Sequence, residues 1–451
     1  MLATYACGRS QPERENVVLI TIDTLRADHL GCYGYPRNTS PSIDKFADAS
    51  VLFTQCISQA SSTLPSHASI FTSLYPPTHG VIHNLAALRP EIPSLVKVFR
   101  KHDYFTCAVV SNIVLESRFG LNQGFQTYDE RLVSHELNRK NFLERPANAA
   151  TDAAIDWLRT NMDSTFFLWI HYIDPHGAYY PPEEYRPLFV GDEWYSEEKE
   201  MSISTDAFDP HAIPKYQSLF GETNPSYYVA QYDAEIRFTD HEVGRFLRFL
   251  EETGLMRNTI VVLTADHGET MTEREYCFTH TFRTYDELTH IPLIIHFPNS
   301  GLRKRVDAQV RAIDIMPTLL DRLDMKNPYK VHGQSLMKLI ENGEQPPPEL
   351  AVSYSDYGIP SLEAAFGFQR SVRTPRWKFI RNLPRGADEL YSLENDPAET
   401  VNLAGSEPQV LRQMRQMFDE WERAIEEGAV LEPALSKERI EQLESLGYLA
   451  K

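Results

Sequence analysis

The chain has 451 residues, of which 42% are hydrophobic and 11% aromatic, enough to build a large buried core. Its 63 acidic and 44 basic residues give a formal net charge of −19, which is unfavourable for binding a nucleic-acid backbone. No run of about 18 apolar residues occurs, so we expect no transmembrane segment. The sequence predicts a soluble, acidic, globular protein with no nucleic-acid partner.

The five cysteines are widely spaced and include no C-x-x-C pair, which argues against a cysteine zinc site or a disulfide framework. We interpret the four that follow Cys7 as buried free thiols. Residues 2–8 resemble the end of a bacterial lipoprotein signal, although Thr4 stands where an aliphatic residue is usual. That resemblance predicts a lipid anchor at Cys7 and favours a periplasmic or outer-surface location over the cytoplasm.

Short apolar runs alternate with amphipathic stretches over most of the chain, a pattern typical of a mostly parallel sheet covered on both faces. The predicted strands are residues 17–22, 106–110, 166–170, 260–263 and 293–296. The predicted helices are residues 92–101, 147–161 and 227–252. We therefore predict an α/β fold with a large mixed, mostly parallel sheet sandwiched by helices.

Two regions break this alternation. Residues 178–226 are rich in proline, tyrosine and acidic residues, and we interpret them as a long excursion near the site. Beyond residue 347 the pattern changes to short strands at 365–372 and 377–382 and a helix at 408–427. The predicted parts are an N-terminal tail (1–15), a catalytic domain (16–347) and a small C-terminal α+β subdomain with short antiparallel strands and helices (348–451).

Acidic and histidine side chains follow several of the predicted strands. Asp23, His171 and Asp266 should be neighbours, because chemistry in such sheets lies beyond the carboxyl ends of the strands. Carboxylate oxygens together with the imidazole of His267 suit zinc or manganese, whereas calcium prefers oxygen ligands alone. Taken singly, Asp23 and Asp266 also fit ordinary helix caps.

The segment from residue 61 to 69 places Thr63 on a turn just before a predicted helix. A helix N-terminus attracts negative charge, so an anionic ester would sit there. A metal-coordinated hydroxyl can act as a nucleophile, because coordination lowers its pKa and orients its oxygen. On its own the segment fits an ordinary Ser/Thr cap equally well.

Taken together, these motifs resemble the sulfatase family of the alkaline phosphatase superfamily. The matching blocks follow the family order at residues 22–28, 31–34, 40–44, 63–67, 75–81, 171–176, 265–269, 285–293 and 390–403. The resemblance implies the alkaline phosphatase and sulfatase fold and a hydrolase that cleaves sulfuric or phosphoric ester bonds. It also implies a small anionic ester as the substrate.

Carried over residue by residue, the resemblance implies one divalent metal, with zinc or manganese favoured and calcium or magnesium left open. Its implied ligands are Asp23, Thr63, Asp266 and His267. His176 matches the histidine that contacts the ester and protonates its leaving group. The implied substrate contacts are Thr24, in the slot of a second aspartate; Asn84, as in phosphonate monoester hydrolases; and His280, as in relatives with a threonine nucleophile.

The departures from the family pattern define a type that lacks formylglycine. Most sulfatases carry Cys-x-Pro-Ser-Arg, whose cysteine is oxidised to formylglycine, but here Thr63 and His67 occupy the cysteine and arginine positions. The family's Gly-Lys-x-His block is replaced by uncharged residues near 109–112. A hydrated aldehyde releases sulfate without attack by water, whereas a threonine ester must be hydrolysed or transferred. This favours phosphoryl over sulfuryl chemistry.

We interpret the remaining candidate residues as structural and not as catalytic or metal-binding. We interpret His171 as a structural residue or a support for a ligand, and Asp174 as fixing the local turn or His176. Asp174, His176 and His280 have the wrong spacing for a second zinc site. Three functions stay open: a sulfate, phosphate or phosphonate ester hydrolase with a Thr63 nucleophile, a phosphoethanolamine-type phosphotransferase acting on an outer-surface acceptor, and a metal-binding pseudoenzyme.

Overall fold

A computed structural model describes residues 14–139, 142–197, 200–204, 209, 211–344, 350–356, 367–384 and 386–425. The predicted lipid anchor at Cys7 and most of the predicted tail lie outside these residues. The predicted domain boundary at 347/348 also lies outside them, as does the end of the C-terminal subdomain.

The described residues form two principal sheets and a small hairpin. The strands are β1 (Asn16–Ile22), β2 (Val51–Ile57), β3 (Phe105–Val109), β4 (Thr127–Asp129), β5 (Ser134–His135), β6 (Leu143–Glu144), β7 (Phe166–Tyr172), β8 (Thr259–Ala265), β9 (His290–His296), β10 (Lys304–Arg311), β11 (Ala351–Tyr354), β12 (Phe368–Arg373), β13 (Trp377–Leu383) and β14 (Glu389–Ser392). The main sheet has the order β10-β2-β9-β8-β1-β7-β3-β4, the second sheet runs β11-β12-β13-β14, and β5 pairs with β6.

Helices flank both principal sheets, and the last of them packs on the antiparallel sheet. They are α1 (Pro41–Asp48), α2 (Thr63–Thr72), α3 (Pro76–His79), α4 (Leu95–Lys101), α5 (Ala147–Asn161), α6 (Pro225–Glu252), α7 (Asp286–Thr289), α8 (Ile315–Arg322), α9 (Met337–Asn342) and α10 (Pro408–Ala424). In the described part of the chain, no helix is long and apolar enough to cross a membrane.

The central strands explain why the sheet is mostly parallel. All seven residues of β1, of β7 and of β8 are buried, so both faces of the sheet are covered there. Continuous apolar strands of this kind suit parallel pairing beneath helices. β1 pairs in parallel with β7 and β8, while β9 runs antiparallel to β8 and β2. The predicted fold class is confirmed.

Element boundaries differ from the predictions where capping residues intervene. The helix expected from residue 92 begins at Leu95, because Ser94 caps it by accepting the N–H of Lys97. The helix expected from residue 227 begins at Pro225, because the side chain of Asn224 accepts the N–H of Ser226. Between residues 178 and 224 the described part contains one short 3₁₀ turn and no longer helix or strand, as expected for an excursion.

The antiparallel sheet is joined to the main body beside α2. The N–H of Tyr354, at the end of β11, donates to the carbonyl of Gln59 at 3.0 Å. The N–H of Ser61 donates to the carbonyl of Tyr354 at 3.1 Å. The loop that leads into α2 is therefore held by the last residue of β11.

Candidate active site

The carboxyl ends of β1 and β8 bring three predicted ligands together. Asp23 follows β1, and Asp266 and His267 follow β8. His267 Nε2 lies 3.5 Å from Asp266 Oδ2 and 3.9 Å from Asp23 Oδ1. All three side chains are fully buried. The predicted adjacency of Asp23 and Asp266 is confirmed.

Helix α2 adds Thr63 to this group. Thr63 is its first residue, and Thr63 Oγ1 lies 3.4 Å from His267 Nε2. The hydroxyls of Ser58 and Ser66 donate to the main-chain oxygen of Asp266 at 2.5 and 2.6 Å. These bonds tie the start of α2 to the loop after β8, so the hydroxyl of Thr63 is held against the ligand group.

Asp23, Asp266 and His267 each present a side-chain atom with a lone pair that can bind a cation. His267 Nδ1 lies 2.8 Å from the carbonyl of Gly268, which only accepts, so Nδ1 carries the proton and Nε2 presents its lone pair. Among the described residues, Asp23 Oδ1 and Asp266 Oδ2 have no hydrogen-bond partner. Unpaired carboxylate oxygens in a protein interior are costly. The donor set therefore fits one divalent metal.

Burial and mutual charge govern the ionisation of this group. Burial, followed by the charge of Asp23, raises the pKa of Asp266 well above its usual range. Burial also opposes ionisation of Asp23, but the 3.4 Å contact of its Oδ2 with His171 Nε2 and the other nearby histidines outweigh that effect and lower the pKa of Asp23. Burial lowers the pKa of His267 to about 3, so the ring is neutral at pH 7, the form that binds metals.

Asn112 orients Asp23, a role that the sequence did not reveal. Asn112 Nδ2 donates to Asp23 Oδ2 at 2.8 Å, and the N–H of Asp23 donates to the carbonyl of Tyr172 at 2.9 Å. The only signal in the sequence was the replacement of the family's charged block near residues 109–112, where Asn112 supplies an uncharged donor.

His67 stands in the arginine position of most sulfatases, and both of its ring nitrogens make hydrogen bonds within the fold. Its Nδ1 lies 2.8 Å from the carbonyl of Thr63, and its Nε2 lies 3.0 Å from the hydroxyl of Thr21. The ring packs against Trp169. Both nitrogens therefore bind within the fold, where they anchor the first turn of α2 to β1.

Two predicted substrate contacts, Thr24 and Asn84, flank the start of α2. Thr24 has φ 55°, a left-handed conformation that is strained for a threonine, and its N–H donates to Asp266 Oδ1 at 3.3 Å. Asn84 Oδ1 accepts the N–H of Leu64 at 2.9 Å. Within the described residues, Thr24 Oγ1 and Asn84 Nδ2 are buried without a partner. Both atoms are available to a bound group.

His176 and His280 lie next to each other, with ring centroids 5.2 Å apart, and His280 also packs on His267 at 4.6 Å. His176 Nδ1 bonds the carbonyl of Gly177 at 2.9 Å, and burial lowers the pKa of His176 to about 3. Burial lowers the pKa of His280 as well, but Glu269, 3.2 Å from its Nδ1, raises it by more. The two rings thus differ in their affinity for a proton.

The β5–β6 hairpin contributes residues that no sequence pattern indicated. The ring of Phe142 lies parallel to that of His176, at an interplanar angle of 5° and 6.1 Å between centroids. The guanidinium of Arg139 lies 4.8 Å from the centre of Phe142, and its Nη2 donates to the carbonyl of Gly177 at 3.1 Å. The hairpin therefore fixes the plane of the His176 ring.

Asp174 serves the fold, and within the described residues it makes no hydrogen bond to His176. Its Oδ2 accepts the N–H of Ala147 at 2.7 Å, which anchors the first residue of α5. Burial raises the pKa of Asp174 to about 6. Burial and the charge of Asp174 raise the pKa of its neighbour Glu235 well above the usual range.

Comparison with known proteins identifies the family of this chain. The family model described as "Sulfatase" matches residues 15–325, and the one described as "N-sulphoglucosamine sulphohydrolase, C-terminal" matches residues 275–426. The chain belongs to the sulfatase family, and it is accordingly an ester hydrolase.

The similar proteins include sulfatases, and a phosphonate monoester hydrolase is among the similar structures. An ulvan-active sulfatase of Formosa agariphila is 26% identical over 435 residues, covering 88% of this chain and 78% of that protein. An N-acetylglucosamine-6-O-sulfatase of Bacteroides thetaiotaomicron is 22% identical over 505 residues, covering 94% and 89%. The structure of a phosphonate monoester hydrolase of Agrobacterium radiobacter superimposes with a TM-score of 0.74 at 20% identity, covering 91% and 96%, which shows a shared fold.

Proposed function

We propose that this protein hydrolyses small anionic esters through a Thr63 nucleophile, with phosphate and phosphonate esters preferred over sulfate esters. One observation carries the proposal: Thr63 Oγ1 lies 3.4 Å from the free nitrogen of His267, beside unpaired carboxylate oxygens of Asp23 and Asp266. A hydroxyl in that position is the nucleophile that the site offers.

Asp23, Thr63, Asp266 and His267 would hold one divalent metal. Mixed nitrogen and oxygen donors suit zinc or manganese better than calcium. When bound, such an ion would lower the pKa of the Thr63 hydroxyl and withdraw charge from the ester. The protein's part is to fix the donors, which it does through Asn112 on Asp23 and the Gly268 carbonyl on His267.

In the first step the hydroxyl of Thr63 gives up its proton to solvent and its oxygen attacks the phosphorus, while the bond from phosphorus to the leaving oxygen breaks. His176 Nε2, which has no partner among the described residues, donates a proton to that oxygen. The ring is neutral in the free protein, so it takes up this proton when the substrate's negative charge arrives and raises its pKa. In the second step the oxygen of a water molecule attacks the phosphorus, and His176 Nε2 accepts a proton from that water. The bond from phosphorus to Thr63 Oγ1 breaks, and the freed Thr63 oxygen regains a proton from solvent.

Three further groups would bind the non-bridging oxygens of the ester. Thr24 Oγ1 and Asn84 Nδ2 are buried donors without a partner in the described part of the chain. His280 has a raised pKa beside Glu269 and would present positive charge. Donors aimed at oxygens that gain charge lower the barrier to the reaction.

The preference for phosphorus esters follows from the identity of the nucleophile. Formylglycine expels sulfate by collapse of its hydrate, a route closed to Thr63. The matched relatives include sulfatases, and a phosphonate monoester hydrolase shares the fold. Both ester classes therefore belong in the test.

The test is a set of aryl phosphate, phosphonate and sulfate monoesters assayed with the zinc- and manganese-loaded protein. We expect the phosphorus esters to react faster and Thr63→Ala to abolish turnover, while Thr160→Ala, on the exposed end of α5, should change nothing. Chelation should remove activity, and elemental analysis should find one metal per chain. Transfer to an added alcohol in excess over water would indicate a phosphotransferase. A metal-loaded protein inert toward every ester would indicate a pseudoenzyme.

A further inference from the structure

The imidazole of His171 is the one ring at this site whose nitrogens are both unaccounted for within the described residues. It is fully buried on β7, and neither Nδ1 nor Nε2 has a hydrogen-bond partner there. The rings of His67, His176, His267 and His280 each have at least one bonded nitrogen. A neutral imidazole carries one donor and one acceptor, and burying both unsatisfied is costly.

The position of His171 is set by the pairing of β7 with β1. His171 pairs with Thr21, two residues before Asp23, so the ring lies at the edge of the ligand group. His171 Nε2 is 3.4 Å from Asp23 Oδ2, and one of its nitrogens lies within 4.8 Å of a carboxylate oxygen of Asp266.

These separations are close to those of ligands that share one ion. Donor atoms held at roughly 2.1 Å from a common centre, at tetrahedral or octahedral angles, lie about 3.0–3.4 Å apart. The contact from His267 Nε2 to Asp266 Oδ2 is 3.5 Å, and that from His171 Nε2 to Asp23 Oδ2 is 3.4 Å. His171 therefore approaches Asp23 at nearly the same distance that separates two of the ligands already assigned.

A separate centre built from His171, His67 and Asp266 is less consistent with the bonding. These three side chains also converge. His67 Nδ1, however, is turned to the carbonyl of Thr63, and its Nε2 lies 3.0 Å from the Thr21 hydroxyl. Trp169 donates to that same hydroxyl oxygen, so the hydroxyl proton is directed to His67 Nε2. His67 thus retains no free lone pair.

We propose that His171 is an additional ligand of the metal, which is then held by two imidazoles and two carboxylates besides Thr63. The inference rests on the metal centre of the proposed function and replaces the structural interpretation of His171 made from the sequence. Two nitrogen ligands favour zinc or manganese over calcium and magnesium, which prefer oxygen. His171 would therefore determine which metal the site selects.

X-ray absorption at the zinc edge of the loaded protein counts imidazole ligands directly. We expect two imidazoles in the wild type, one in His171→Gln, and two in His79→Gln, a buried histidine on α3 that bonds Ser69 instead. One imidazole in the wild type overturns the assignment, even if His171→Gln weakens zinc binding, because a residue that only supports a ligand can also do that. If the variant does not fold, the number of imidazole ligands in the wild type alone decides whether His171 binds the metal.

Metal selectivity is a second, independent readout. Competition against a chromophoric chelator should show that His171→Gln lowers zinc affinity at least tenfold and leaves calcium affinity unchanged, with His79→Gln like the wild type. An equal loss for both ions contradicts the assignment. If the wild type binds no zinc at all, both the His171 assignment and the metal centre of the proposed function are wrong. If the wild type binds zinc with a single imidazole, only the His171 assignment is wrong and the proposed function stands.

Discussion

Ser66 Oγ donates a 2.6 Å hydrogen bond to the main-chain oxygen of Asp266, 200 positions later in the chain. Ser66 lies on the first turn of α2 with Thr63, and Asp266 is a candidate ligand. This bond, with that of Ser58, sets the distance between nucleophile and ligand group before any substrate arrives. Pre-set geometry of this kind supplies a large part of enzymatic rate enhancement.

Replacing Ser66 with alanine should therefore impair catalysis more than binding. We expect Ser66→Ala to lower kcat about tenfold, equivalent to about 1.4 kcal/mol, with KM and metal content little changed. Steady-state kinetics with elemental analysis test this, and Ser73→Ala, at the far end of α2, measures the effect of losing a buried hydroxyl remote from the site. A loss of metal in proportion to the loss of kcat would mean that Ser66 holds the ligand loop itself.

Thr63→Ala should lower turnover by several orders of magnitude with the fold intact, since no other group can form the covalent intermediate. Thr63→Ser should keep measurable activity because the hydroxyl survives. Rapid quench and mass spectrometry should detect phosphorylated Thr63 in the wild type. If excess metal restored the activity of Thr63→Ala, the hydroxyl would be only a metal ligand.

The Thr63→Cys variant, produced together with the formylglycine-generating enzyme, should not become an efficient sulfatase. The reason is that His67 replaces the arginine of the motif that this enzyme recognises.

The role of His176 predicts a dependence on the leaving group. His176→Ala should slow esters of poorly acidic alcohols far more than esters of acidic phenols, because only the former need a proton in the transition state. The measurement is the slope of log kcat/KM against leaving-group pKa for the wild type and the variant. Equal losses across the series would remove the proton-donating role.

The buried pair of Asp174 and Glu235 predicts a pH dependence of stability. Burial raises the pKa of Asp174 to about 6, and that of Glu235 also rises, with Glu144 and Glu242 as acidic neighbours. From pH 4 to about 6 these two carboxyl groups bind more protons in the folded protein than in the unfolded chain, so their contribution to the free energy of unfolding falls as pH rises. Glu235→Gln should reduce the fall in melting temperature from pH 4.5 to 7, while Glu252→Gln, exposed on the same helix, should not. If Glu235→Gln showed the same change in melting temperature between pH 4.5 and 7 as the wild type, this account would be contradicted.

Much of the site could be predicted because its residues follow buried strands. Asp23 and Asp266 come directly after apolar runs, and parallel pairing places such ends side by side. Thr63 was indicated by its motif at a helix start. The support for His176 could not be predicted, because Phe142 and Arg139 lie on a hairpin of two-residue strands whose position depends on contacts distant in sequence.

The hydrogen bonds between Tyr354 and residues 59 and 61 constrain how the sequence can evolve. Two main-chain bonds join the end of β11 to the loop that leads to the nucleophile, so we expect a shift of this strand to move that loop. Recombination between homologues at the junction of the two sheets would pair this loop with a foreign strand. We therefore expect substitutions in these two segments to be inherited together, and chimaeras that exchange only one of them to lose activity before they lose stability.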